Sequence, residues 1–117
     1  MTSPTTPQTV AAAILHAIAA APAAFDMGFW YSPTGKQLNL RPDAPVPDGV
    51  TLDVAAWAAR VTGWTLTTGG HATKNGTTKH VGDICREALH IDGQSPDLFW
   101  MPDDRVLTLL RNLADQR

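Results

Sequence analysis

The chain has 117 residues, the length of a single domain. Its 44% apolar content excludes a chain disordered throughout, and no sustained period marks a coiled coil or a collagen-like rod. A net charge of −2, with nine basic residues scattered singly from Lys36 to Arg117, argues against general nucleic-acid binding. Cys85 is the single cysteine and cannot close an internal disulfide, so nothing points to an oxidising compartment and a cytoplasmic protein is expected. The apolar stretch from Val10 to Phe25 contains His16 and Pro22 and no basic residue precedes it. It falls short of the ~20 residues that span a bilayer, so neither a membrane span nor a secretory signal is expected.

Residues 1–8, rich in Pro, Ser and Thr, predict a flexible tail, with a single globular domain over 9–117. Val10, Ile14 and Ile18 recur every four residues, which predicts a helix capped by Thr9 and ending near Pro22. Phe29-Trp30-Tyr31 and Lys36 to Leu40 flank Ser32-Pro33-Thr34-Gly35, the composition of a short hairpin around a type I turn. Arg41 to Gly49 reads as a proline-rich loop. Val54, Trp57, Ala58 and Val61 form a helical stripe, with Thr51 as its cap, Asp53 in its first turn and Gly63 as its stop. Trp57 in this helix is expected to be buried. Trp64 to Thr67 then predicts a strand.

Asn75-Gly76 is a strong signal for a two-residue hairpin turn. It sets Lys74 opposite Thr77, Thr73 opposite Thr78, Ala72 opposite Lys79 and His71 opposite His80. Period-two alternation then places His71, Thr73, Thr78 and His80 on one face. Val81, Ile84, Cys85, Ala88 and Leu89 predict a third helix with Cys85 on its packed side. Ser95 to Trp100 reads as a short helix, and Pro102-Asp103-Asp104 opens a last helix with Val106, Leu109, Leu110 and Leu113 buried. The resulting class is mainly α (α+β): a small helical domain of about four helices with one or two short β-hairpins.

Few residues offer chemistry. His71 and His80 could begin a metal site, with Asp83 or Glu87 as a third ligand, but a structural zinc site wants four ligands and the spacing fits no standard finger. No cofactor and no stoichiometric metal are therefore expected. Cys85 sits in a buried stripe, whereas a reactive thiolate needs an electropositive, partly open setting. No serine has a glycine-flanked elbow, and Asp103-Asp104 is explained by a helix start. Residues 81–100 are spaced like a helix-turn-helix, but the second helix would carry no Arg or Lys to meet DNA. The aromatic residues Phe29, Trp30, Tyr31, Phe99 and Trp100 form two clusters, which either pack in the core beneath the first helix or form an exposed patch of the kind that marks partner-binding sites.

Phe25-Asp26-Met27-Gly28-Phe29-Trp30, Trp57-Ala58-Ala59-Arg60-Val61-Thr62-Gly63-Trp64, Ile84-Cys85-Arg86-Glu87-Ala88-Leu89 and Leu98-Phe99 occur in an order that resembles small proteins of unknown function from actinobacteria and their phages. In such proteins the second helix often opens with Cys and Gly, where this chain has Asp53-Val54. The resemblance implies a cytoplasmic accessory domain of phage or prophage origin and carries over no catalytic residue. Two functional expectations stand side by side. The first is a protein-interaction or regulatory module that binds a protein partner or itself. The second is a small metal-dependent enzyme, or a metal or pH sensor, built on His71 and His80.

Overall fold

The computed structural model describes residues 6–27, 31–32, 39–47, 49–67, 70–90 and 102–115, with Tyr31 and Ser32 described by their backbone. Among these residues there are four helices and two small antiparallel sheets, as the mainly helical pattern predicts. No helix among these residues is long and apolar enough to cross a membrane.

Helix α1 spans Pro7–Ala20 and starts earlier than the periodicity alone suggests. Its cap is Thr6, not Thr9. Thr6 Oγ1 accepts from the Thr9 N–H at 3.2 Å, while the Thr6 N–H donates back to Thr9 Oγ1 at 3.1 Å. Threonine at both ends of this reciprocal pair satisfies two otherwise orphaned donors, and Pro7 fits the first helical position. Residues 7 and 8 therefore belong to the helix rather than to a tail. Val10, Ala11, Ile14 and Ile18 face the core, and Pro22–Ala24 follow as a single 3-10 turn.

Strand β1 (Tyr31–Ser32) pairs with β2 (Thr51–Leu52), joining Tyr31 to Leu52 and Ser32 to Thr51. The hairpin expected between residues 29–31 and 36–40 falls largely outside the described residues. Leu40 exchanges two backbone hydrogen bonds with Leu66, at 3.0 and 2.9 Å. Such short strands gain little from local turn chemistry, so burial of Leu40, Leu52 and Leu66 decides which segments pair.

Helix α2 (Val54–Val61) is the centre of the molecule and packs against both α1 and α3. Val54 through Ala59 are all buried, so this helix is enclosed all round rather than along one stripe. Its alanines bring the neighbouring backbones close. It ends as Gly63 predicts: Gly63 has φ +93°, its N–H donates to Arg60 O at 3.1 Å, and the Trp64 N–H reaches back to Ala59 O at 2.9 Å.

Strand β3 (Thr65–Leu66) adds to the hairpin of β4 (His71–Lys74) and β5 (Thr77–His80). The hairpin has the predicted register throughout, from Lys74 opposite Thr77 to His71 opposite His80. Asn75 and Gly76 both have positive φ, 52° and 81°, which is the primed turn that matches strand twist. Helix α3 (Val81–Leu89) follows without a linker and buries Val81, Ile84, Cys85 and Leu89. Helix α4 (Asp103–Asp115) lies on α1, with Val106 and Leu110 fully buried and Leu109 and Leu113 half-buried. Trp57 and Leu110 are thus both in the core, as expected. The short helix expected at Ser95 to Trp100 lies outside the described residues.

Candidate functional site

The three-stranded sheet has two unlike faces because side chains alternate along each strand. Leu66 and Ala72 point into the core and are fully buried. The other face carries two cross-strand rows. Register pairs Thr65 with Thr73 and Thr73 with Thr78, giving a row of threonines. Thr67, whose N–H donates to His71 O at 2.8 Å, continues the second row through His71 to His80. His71 and Thr78 are exposed and the other four are half-buried. The result is a patch of hydroxyl and imidazole groups reaching the surface.

The two imidazoles meet edge to face, with ring centroids 5.4 Å apart and planes at 84°. His80 also has a structural task. It is the N-cap of α3, and its Nδ1 accepts from the Gly82 N–H at 3.0 Å. Accepting at Nδ1 requires that atom to be unprotonated, so the neutral ring carries its proton on Nε2. Burial, reinforced by the neighbouring His71, holds His80 below the usual histidine range; Asp83 pulls the other way and Arg86 adds to the lowering.

The carboxylates expected to complete a metal site with these histidines are engaged by cations. Asp83 Oδ1 accepts from Arg86 at 3.1 Å, and the Glu87 carboxylate holds Lys79 Nζ at 2.8 Å. No group of three or more His, Cys, Asp or Glu side chains converges among the described residues. The structure brings His71 and His80 together, as their register predicts, while Asp83 and Glu87 form ion pairs with Arg86 and Lys79.

A second cluster escaped the sequence reading. Asp53, at 2% exposure, is the N-cap of α2, and its Oδ1 accepts from the Ala56 N–H at 2.9 Å. Thr51, expected to cap this helix, lies instead in β2. Burial pushes the Asp53 carboxyl up to about 8, against the opposing pull of the Ala56 and Ala55 backbone hydrogen bonds. Cys85 is wholly buried and electrostatically coupled to Asp53; burial first, then that carboxyl, drives its thiol far above the usual range. A thiol so placed packs as a small apolar group. Beside this pair Met27 ties three segments together. Its Sδ accepts from the Val54 N–H at 3.4 Å, and its own N–H donates to Asp103 Oδ1 at 3.1 Å. An Asp immediately before an apolar helical run is a readable cap signal; that it would be buried is not.

Phe29, Trp30, Phe99 and Trp100 lie outside the described residues, and Tyr31 is placed by its backbone, opposite Leu52. Two other tryptophans have resolved environments. Trp57 is buried with the Arg60 guanidinium 5.5 Å from its ring centre, and half-buried Trp64 has Lys74 Nζ at 5.9 Å. Arg60 also donates to Arg41 O at 3.0 Å and to Ala44 O, pinning the proline-rich loop onto α2. Compared with family models, curated proteins and solved structures, the chain matches none of them.

Proposed function

We propose that this chain is a small cytoplasmic interaction or regulatory module that binds a protein partner or a second copy of itself. The observation that carries this reading is the division of labour among its polar groups. Cys85 is sealed in the core, Asp53 caps α2 and His80 caps α3, while one face of the three-stranded sheet carries the threonine and histidine rows to the surface. A nucleophile or acid–base pair needs access to a substrate. A sheet face of hydrogen-bonding groups suits a protein surface, and the aromatic residues Phe29, Trp30, Tyr31, Phe99 and Trp100 would supply the anchors that interfaces favour. The resemblance to small actinobacterial and phage proteins supports an accessory role.

Capture from lysate of the source cells, run beside light scattering on the purified chain, tests this. The expected result is a defined complex or oligomer that Trp30→Ala or Trp100→Ala weakens without lowering the melting temperature. A monomer that captures nothing above a bead control sinks the proposal. The metal-dependent reading, favoured by the His71–His80 contact, predicts one equivalent of zinc in protein purified without a tag. It further requires that the zinc disappear in the His71→Ala, His80→Ala double variant.

A further inference from the structure

The junction between β5 and α3 concentrates two roles on one ring. His80 is at once the last residue of the hairpin and the cap of the helix that follows it. Its Nδ1 lone pair holds the Gly82 N–H at 3.0 Å, and its ring rests on that of His71 from β4. We propose that this junction is an acid-sensitive switch, in which protonation of His80 uncaps α3 and releases the β4–β5 hairpin from it.

Three effects act in the same direction. Protonation converts Nδ1 from acceptor to donor, so Gly82 loses its partner and two N–H groups confront each other. The new cation sits at the positive end of the α3 dipole, where an anion or a neutral acceptor is favoured. It also faces His71 directly across the strand pair, where like charges repel. The charged groups around it offset these effects only in part. Asp83 on α3 favours the cation but is held by Arg86, which opposes it. Lys79 on β5 spans to Glu87 on α3, an exposed pair that also links hairpin and helix. With the folded-state affinity of His80 for a proton lowered, the unfolded or released segment protonates first as pH falls. Stability of the junction is therefore intact above the ordinary histidine value of ~6.5 and is lost as pH drops through it.

Amide hydrogen exchange on the full chain at pH 7.5 and 5.5, corrected for intrinsic rates, reads the switch. Residues 77–84 should exchange several-fold faster at the lower pH, because the released segment binds the proton more readily than the capped ring does. His80→Asn keeps a capping oxygen that does not titrate, so the acid step should vanish in that variant. Asp53 is common to both proteins and cannot account for a difference between them. Equal acceleration in parent and His80→Asn, or none in the parent, overturns the proposal. A second readout does not depend on the variant folding: the ¹⁵N shift of His80 Nδ1 in the parent. It should report an unprotonated nitrogen at pH 7.5 that becomes protonated in step with exchange. A protonated Nδ1 at pH 7.5 would equally defeat the idea.

Discussion

Trp57 shows how one side chain can be well packed and imperfectly satisfied at once. At 3% exposure it fills the middle of the core, yet its indole Nε1 is buried with no hydrogen-bond partner among the described residues. Removing the ring opens a cavity, which costs roughly 3–5 kcal/mol for Trp→Ala in a core. Removing only the N–H is different, because a buried unpaired donor carries its own desolvation penalty of about 1–3 kcal/mol. Trp57→Phe should therefore lie close to the parent in a urea midpoint measurement, and Trp57→Ala far below it. A Phe variant as damaged as the Ala variant would show that the indole nitrogen has a partner. The spacing of Trp57 with Val54 and Ala58 is enough to predict its burial; that its nitrogen has no partner among the described residues follows from the packing of segments distant in sequence.

Among the elements, the β4–β5 hairpin is the most readable, because its register follows from two residues. Asn75 and Gly76 both occupy the left-handed region, at φ 52° and 81°. A Cβ at Gly76 would meet nothing within 4 Å, so substitution there tests backbone conformation free of clashes. Gly76→Ala should cost about 1 kcal/mol, the penalty for an L-residue at that conformation. The loss should appear in equilibrium unfolding, with the His71 to His80 pairing preserved in nuclear Overhauser contacts. A loss above roughly 3 kcal/mol would mean that the turn makes tertiary contacts beyond its own geometry. Helix caps were less legible. Thr6, Asp53 and His80 cap α1, α2 and α3, where spacing suggested Thr9 and Thr51 for the first two. Cap-competent residues lie near each boundary, and only the chain's path into the helix selects among them.

For the molecule as a whole, Asp53 makes stability depend on pH between 3.8 and about 8. In the unfolded chain its carboxyl loses a proton near 3.8, whereas the folded protein keeps it until about 8. Between those values the unfolded state binds fewer protons than the native state, so stability falls as pH rises and levels off above about 8. Asp53→Asn keeps the oxygen that accepts from Ala56 but removes the titration. Its stability from pH 6 to 8.5 should be flatter than the parent's, with the two curves diverging as pH rises. Asp53→Ala should also be flatter, but lower by about 1–2 kcal/mol for the lost cap. Parallel curves for parent and Asp53→Asn would show that the native carboxyl is already ionised at neutral pH.

Sequence alone determined what depends on periodicity and on local backbone chemistry. The stripes of α1, α2, α3 and α4, the glycine stop after α2, the primed turn and the opposition of His71 and His80 all follow from residues within a few positions of one another. The tertiary structure decided what depends on non-local burial. Leu52 pairs with Tyr31 and Leu40 with Leu66 because those leucines are drawn into one core, a driving force that is non-directional and leaves no local signature. The same enclosure makes α2 buried on every side and leaves Asp53 and Cys85 in low dielectric beside each other. It also commits His80 Nδ1 to the first turn of α3 while its ring stays against His71, a combination that neither residue's neighbours in sequence specify.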